Sequence, residues 1–310
     1  MSMGSDHWLG LYLRGLAMGA ADLVPGVSGG TIALITGIYD RFIAAIASVG
    51  LDALRLVLSG NIKGAWAHVD GNFLFAVATG ILSSVVLLAS LLNWLLINYP
   101  LPLWSLFCGL VLASSVHLFF QTRANWSARD YALWLAGIGV ALAVGLMQAT
   151  QLPVSNLTIF LAGAVAISAM LLPGISGSFL LLILGMYQPV ISALVNIDVV
   201  TIGIFALGCF CGLLAFSRLL KLLLARAQRA TMAVLYGFLL GSVIMLWPWQ
   251  KPVSSVLDRD GDNRVIQSLP VSPQTYAELM GEPMLWACII AFTVGTVVVP
   301  LLLSFGSAER

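Results

Sequence analysis

Two apolar segments of this chain are each interrupted by a proline that is followed by glycine and serine. The interruptions are Pro25-Gly26-Val27-Ser28-Gly29-Gly30-Thr31 and, 148 positions later, Pro173-Gly174-Ile175-Ser176-Gly177-Ser178. A proline disfavours helix in the residue before it and suits the first turn of a new helix, and glycine permits tight turns. Each segment is therefore predicted to form a helix, a break, and a second helix that begins near the serine.

The two segments are also alike outside the motif, which indicates an internal duplication. The residues that recur at the same offset of 148 are Gly15 with Gly163, Gly37 with Gly185, and Tyr39 with Tyr187. Weaker similarities at other offsets pair Gly80 with Gly212 and Gly109 with Gly237. Broken helices at matching positions of two halves are a sequence indicator of a transporter's substrate site.

The composition places these breaks in a membrane. Of the 310 residues, 60% are hydrophobic and only 9% are charged, whereas a soluble domain has about 25% charged residues. The net charge of +1 gives no field that would attract nucleic acid. The four cysteines lie in apolar runs without the spacing of a disulfide framework or a metal site. We therefore predict an all-α polytopic membrane protein with no metal, no cofactor and no nucleic-acid partner.

Apolar stretches that can cross a ~30 Å hydrocarbon core divide the chain into two repeats. The first repeat, 1–150, is predicted to contain a broken hairpin at 8–49, an amphipathic interfacial helix at 51–68, and spans at 72–98, 101–120 and 131–149. The second, 151–310, is predicted to contain a broken hairpin at 155–195, spans at 199–224, 231–248 and 284–305, and an outside loop at 249–283.

The number of crossings sets the relation between the repeats. A hairpin that enters and returns adds an even number of crossings, and three further spans make each repeat odd, so the second repeat is predicted to be inverted. Lys and Arg gather on one side of this topology, which the positive-inside rule assigns to the cytoplasm. The basic residues on that side are Arg55, Lys63, Arg123, Arg129, Lys221, Arg226, Arg229 and Arg310. Both termini are therefore expected to be cytoplasmic.

The start of each second helix is a candidate anion site. Helix starts carry N–H groups without intrahelical partners and the positive end of the helix dipole, which suit phosphate or carboxylate. The candidate phosphate ligands are Ser28, Gly29, Gly30 and Thr31 at the first break and Ser176, Gly177 and Ser178 at the second. The alternative is that these small residues only cap and pack two hairpins.

Three charged residues inside apolar runs are further candidates. Asp22 precedes the first break, and ionisable groups in membranes are costly and usually functional, so it is the candidate for coupling to a proton or a sodium ion. The alternative is a local cap, because an Asp in a turn bonds backbone N–H groups. Arg14 and Arg218 can hold a phosphate by forked hydrogen bonds or, alternatively, extend to the cytoplasmic interface.

The segment Gly26-Val27-Ser28-Gly29-Gly30 also fits G-x-S-x-G, the nucleophile elbow of serine hydrolases. That elbow needs a preceding strand and a histidine partner, whereas both flanks here are predicted membrane helices. A membrane enzyme, either a lipid phosphatase or an intramembrane serine hydrolase, is therefore one alternative. A transporter of small anions is another, because an anion site does not by itself demand a lipid.

Both motifs resemble the signatures of the bacterial polyprenyl-phosphate transporter family of PopT type. The resemblance lies in the run from Ala20 to Ala33 with Gly37-Ile38-Tyr39, and in the run from Leu172 to Ser178 with Gly185-Met186-Tyr187. It covers essentially the whole chain. It implies a flippase, not an enzyme, that recycles undecaprenyl phosphate, the carrier lipid of peptidoglycan and other cell-envelope polymers. The expected path runs from the outer to the inner leaflet of the bacterial cytoplasmic membrane.

The resemblance does not say which residues hold the phosphate. We expect alternating access, in which the head group lies between the two breaks and the prenyl tail stays in lipid. Rocking of one repeat against the other would then change the leaflet to which the site is open.

Overall fold

The computed structural model describes residues 5–24, 27–147, 152–257 and 263–307. Nearly all of the described chain is helical, which confirms the predicted all-α membrane fold. In this part of the chain, four helical segments are long and apolar enough to cross a membrane, at 71–98, 100–122, 128–146 and 199–246. The chain is therefore a multi-pass membrane protein.

The first half contains eight α-helices among its described residues. They are α1 (Ser5–Asp22), α2 (Gly29–Ile35), α3 (Tyr39–Ser48), α4 (Leu51–Leu58), α5 (Ile62–His68), α6 (Gly71–Asn98), α7 (Pro100–Thr122) and α8 (Ala128–Leu146). A short 3-10 turn at Arg123–Asn125 separates the last two.

The second half also begins with three shorter helices. Its helices are α9 (Asn156–Leu171), α10 (Gly177–Ile183), α11 (Tyr187–Val195), α12 (Val199–Gly241), α13 (Pro273–Leu279) and α14 (Leu285–Ser307). The predicted spans 199–224 and 231–248 lie in one long helix, α12, which is kinked at Ala227 and is followed by a 3-10 turn at Ser242–Leu246.

The second arm of each hairpin contains a further bend that the sequence reading did not predict. Gly37 separates α2 from α3 with a φ of +74°, and Gly185 separates α10 from α11 with a φ of +69°. The N–H of the residue after each glycine donates to the carbonyl five residues earlier, the pattern of a Schellman cap. In the second hairpin, this bend turns α11 by 109° relative to α10.

Two other regions also differ from their predicted form. The segment 51–68 forms two helices, α4 and α5, because Gly60 turns the chain with a φ of +77°. The region 249–283 contains an antiparallel hairpin of β1 (Gln250–Leu257) and β2 (Asn263–Pro270) as well as α13. The aspartates of 258–262 lie outside the described residues.

The helices of each repeat interlock through glycines at which a neighbouring backbone takes the place of a side chain. Where α1 packs on α6, a Cβ added at Gly15 would meet the Val77 carbonyl, and one added at Gly80 would meet the Tyr12 carbonyl. Where α9 packs on α12, a Cβ added at Gly163 would meet the Phe205 carbonyl, and one added at Gly208 would meet the Phe160 carbonyl. Gly80 thus corresponds to Gly208 and not, as the sequence had indicated, to Gly212. Small residues allow this close approach of membrane helices.

A second set of glycines joins the two halves of the chain to each other. Between α7 and α14, the Phe292 carbonyl lies against Gly109 and the Leu106 carbonyl lies against Gly295. Between α8 and α12, the Trp134 carbonyl lies against Gly237 and the Val234 carbonyl lies against Gly137. Gly109 and Gly237 occupy corresponding places, as the sequence indicates. Since residue numbers rise together along α8 and the part of α12 after Ala227, these two helices run parallel.

These contacts predict the effect of adding one methyl group to α8. Gly137→Ala should destabilise the protein by about 1–3 kcal/mol, because its Cβ would overlap the Val234 carbonyl. Gly139→Ala is the matched control in the same helix, because nothing lies within 4 Å of its Cβ position. Thermal unfolding of both variants in one detergent measures the difference, and equal melting temperatures would contradict the described packing.

Candidate functional site

The helix that follows each break begins at the serine of the motif. Ser28 precedes α2 with an extended backbone, φ −128° and ψ 138°, and Ser176 precedes α10 with φ −94° and ψ 130°. Both serines are buried. The sequence prediction of a second helix that starts near each serine is therefore confirmed.

At the first break, protein groups already satisfy the N–H donors of the helix start. The N–H of Gly29 donates to Oδ1 of Asp22 at 2.6 Å. The N–H of Gly30 donates to Oγ of Ser28 at 3.1 Å, and that of Thr31 donates to the Ser28 carbonyl at 2.9 Å. An anion that used the N–H of Gly29 would have to displace the Asp22 carboxylate.

The first break is bonded to the end of α9 in the other repeat. The Ser28 hydroxyl donates to the Met170 carbonyl at 2.8 Å, and the Tyr39 hydroxyl donates to the Leu171 carbonyl at 2.8 Å. The N–H of Gly174 donates to Oγ1 of Thr31 at 2.9 Å. The two breaks therefore meet in the fold, and hydroxyl groups of one repeat complete the hydrogen bonds of the other.

The second break is more open than the first. The hydroxyls of Ser176 and Ser178 lie 2.9 Å apart, and Ser178 is exposed. Its counterpart in the first break, Gly30, is buried. Among the described residues, none accepts a hydrogen bond from the N–H of Gly177 or of Ser178.

One sequence difference accounts for the acceptor that, in the described chain, the first break has and the second lacks. A Cβ at Gly29 would lie beside the carboxylate of Asp22, and a Cβ at Gly177 would lie 2.8 Å from Cγ of Met170. Asp22 and Met170 are related by the offset of 148, so they occupy the same place in the two halves. The carboxylate accepts a backbone N–H and the thioether does not. Asp22 therefore acts as a local cap, while its coupling role stays a prediction.

The two candidate arginines differ in burial. Arg14 is only 4% exposed within α1, and its extension to the interface stays a prediction. Arg218 is exposed and donates to the carbonyl of Val49, which follows α3, at 3.0 Å. For both residues, binding to phosphate stays a prediction.

The geometry does not form the hydrolase site that the G-x-S-x-G pattern had suggested. Ser28 follows the helix α1, and its hydroxyl donates to a backbone carbonyl instead of a histidine. In the part of the chain that the structure describes, no group of three or more His, Cys, Asp or Glu residues could hold a metal ion.

Sequence reasoning gave no role to Tyr39, although its recurrence as Tyr187 was visible. It also missed Asp40, whose carboxylate accepts from the Gln228 amide at 3.1 Å and so joins α3 to α12 at its kink. The recurrence could have indicated the tyrosine. No local signal indicates the second contact, because its partners are 188 positions apart.

Comparisons with known proteins identify a family and two relatives of this chain. Residues 18–264 match the profile of a family described as VCA0040-like, undecaprenyl phosphate translocase-like. A polyprenyl-phosphate transporter of Vibrio cholerae serotype O1 (strain ATCC 39315 / El Tor Inaba N16961) is 38% identical over 296 residues, 95% of this chain and 96% of that protein. A polyprenyl-phosphate transporter of Staphylococcus aureus (strain NCTC 8325 / PS 47) is 34% identical over 263 residues, 79% of this chain and 88% of that protein. No solved structure matches.

The contact between the breaks predicts a difference between two threonines of one hairpin. Thr31→Val should cost about 1–3 kcal/mol of stability, because it leaves the buried N–H of Gly174 without its acceptor. Thr36→Val should cost less, because the Thr36 hydroxyl donates only to carbonyls of its own helix. Thermal unfolding of the two variants tests this order, and a larger loss for Thr36→Val would contradict it.

Proposed function

The chain belongs to the undecaprenyl phosphate translocase-like family, and from this we propose that it carries undecaprenyl phosphate from the outer to the inner leaflet of the bacterial cytoplasmic membrane. The observation that carries the proposal is the meeting of two broken helices inside one membrane protein of this family. The names of both relatives favour transport over the enzyme alternatives and over small anions.

The proposed topology is an inverted pair of repeats with both termini in the cytoplasm. The recurrence of glycine contacts supports two copies of one unit. Because α8 and the part of α12 after Ala227 are parallel, both can begin on the same side of the membrane. Near these two starts, Arg229 lies 3.9 Å from Asp130. Exposed Leu58, Ile62 and Trp66 on α4 and α5 suit a cytoplasmic membrane interface.

The proposed place of the phosphate is the region where the two breaks meet. The hydroxyls of Ser176 and Ser178 and the N–H groups beside them are the donors with the fewest competing partners. Ser28, Gly29, Gly30 and Thr31 would contribute once the first break changes its bonds, and Arg14 or Arg218 would add charge. The protein needs to enclose only the phosphate, because a charge costs ~2.5–3.5 kcal/mol or more at the bilayer centre. The prenyl tail has no comparable cost and stays in lipid.

The proposed link to an ion is Asp22. Asp22 is an exposed residue whose carboxylate accepts the N–H of Gly29, so a proton or sodium ion on this carboxylate would compete with that hydrogen bond. Binding of the ion to Asp22 would therefore release the N–H of Gly29 and open the first helix start. Alternating access would then be driven by the ion gradient.

Vesicles containing the purified protein test the transport itself. Labelled polyprenyl phosphate should cross between leaflets faster than in protein-free vesicles, while the uncharged polyprenol should show no protein-dependent gain, because the proposed contacts act on the phosphate. The products should contain no free phosphate. Hydrolysis of the lipid, or equal acceleration of both lipids, would contradict the proposal.

The same assay tests the second break. Loss of the hydroxyls in Ser176→Ala with Ser178→Ala should lower transport about tenfold or more, since a hydrogen bond to a charged group contributes about 1.5–3 kcal/mol. Ser168→Ala is the control, because that hydroxyl donates to the Ala164 carbonyl within α9. Undiminished transport in the double variant would remove these serines from the site.

The role of Asp22 predicts a change in ion dependence without loss of the fold. Asp22→Asn keeps an oxygen that can accept the N–H of Gly29 but cannot bind a proton, so transport should lose its response to the driving ion. Asp52→Asn is the control, since Asp52 is exposed and pairs with Arg55 on α4. Transport rates across pH and sodium gradients measure the effect, and an unchanged response would leave Asp22 as a cap only.

A further inference from the structure

The third helices of the two halves, α3 and α11, differ sharply in burial, although they are equivalent in sequence position. Ile46 and Ala47 of α3 are each 8% exposed. Their equivalents at the offset of 148, Leu194 and Val195 of α11, are 52% and 74% exposed. The preceding helices show the same contrast, since every residue of α2 is buried and only some residues of α10 are.

The cause is that α3 lies along α12 of the other repeat. Polar contacts hold it at both ends: the carboxylate of Asp40 accepts from Gln228, and Arg218 donates to the Val49 carbonyl at 3.0 Å. The two helices are therefore antiparallel. The start of α3 lies near the kink of α12, and the end of α3 lies beside Arg218, ten residues before Gln228 on α12. In the described chain, α11 does not pack along α6 or α7 in the corresponding way.

We propose that the contact of α3 with α12 is a closed gate, and that α11 closes the counterpart gate on α6 when the first one opens. This inference rests on the proposed transport function and extends it to the two conformations of the cycle. The closed gate lies beside the basic residues around the kink of α12, from Arg218 to Arg229, which is the proposed cytoplasmic side. The conformation described is therefore the one that receives the lipid head group from the outer leaflet.

The offsets between the halves give the contacts of the opposite conformation. Val49 corresponds to Ile197 at an offset of 148, and Arg218 corresponds to Ser90 at the offset of 128 that relates Gly109 to Gly237. Ile197 should therefore move next to Ser90. Leu194 and Val195 would be buried on α6 as Ile46 and Ala47 are released from α12, so the apolar burial lost at one gate is offset at the other.

Pairs of cysteines can report each gate in a background without the native Cys108, Cys209, Cys211 and Cys288. Asp40→Cys with Gln228→Cys should crosslink in the described conformation, and Ser90→Cys with Ile197→Cys should crosslink only in the opposite one. Each crosslink should stop transport of labelled polyprenyl phosphate in vesicles, and a reducing agent should restore it.

Truncation of equivalent side chains should move the balance in opposite directions. Ile46→Ala weakens only the closed gate at α12 and should shift the ratio of the two crosslink yields about tenfold or more toward the Ser90–Ile197 pair. Leu194→Ala should shift the ratio the other way. Leu58→Ala is the control, because Leu58 lies on α4 and is exposed.

The outcomes separate the gate from the transport function. The gate is overturned if the Ser90–Ile197 pair never crosslinks in protein that transports lipid, or if the Asp40–Gln228 crosslink leaves transport undiminished. It is also overturned if Ile46→Ala and Leu194→Ala shift the yields in the same direction. If the crosslinks are mutually exclusive but the cysteine-free protein moves no polyprenyl phosphate, the gate stands and the transport function falls.

Discussion

Backbone groups that leave a helix inside a bilayer must find hydrogen-bond partners within the protein, because lipid offers none and each unsatisfied group costs several kcal/mol. Here the last carbonyls of α9 accept hydrogen bonds from the hydroxyls of Ser28 and Tyr39, and the N–H of Gly174 donates to Oγ1 of Thr31. These partners are at least 132 positions apart in the chain. The breaks are consequently tolerable only as a pair, which explains why each half carries one and why neither could be read as an independent unit.

The local part of this architecture could be predicted from the sequence, and the long-range part could not. Proline and glycine set the position of each break, and the serine after them was predicted to begin the next helix. The bend at Gly37 was missed because an isolated glycine in an apolar run is also compatible with a continuous helix. The hairpin at 250–270 was missed because its polar, irregular pattern resembles a loop. The partner of Ser28 was beyond reach, since nothing near Met170 distinguishes its carbonyl from any other.

The two helix starts share a backbone path but differ in electrostatics. A carboxylate at position 22 neutralises the positive end of α2, and a thioether at position 170 leaves the equivalent end of α10 uncompensated. One acidic residue therefore makes two helix starts with similar backbones differ in charge, without any change in fold.

The glycine contact between α7 and α14 has a consequence for biogenesis. The ribosome releases α7 early, yet the backbone that covers Gly109 belongs to Phe292, near the end of the chain. During synthesis α7 thus waits in the membrane, or beside an insertase, with its closest packing face uncovered. This contact forms only after α14 has entered the bilayer. A nascent chain that stalls before α14 would carry both breaks but present an open seam to quality-control proteases.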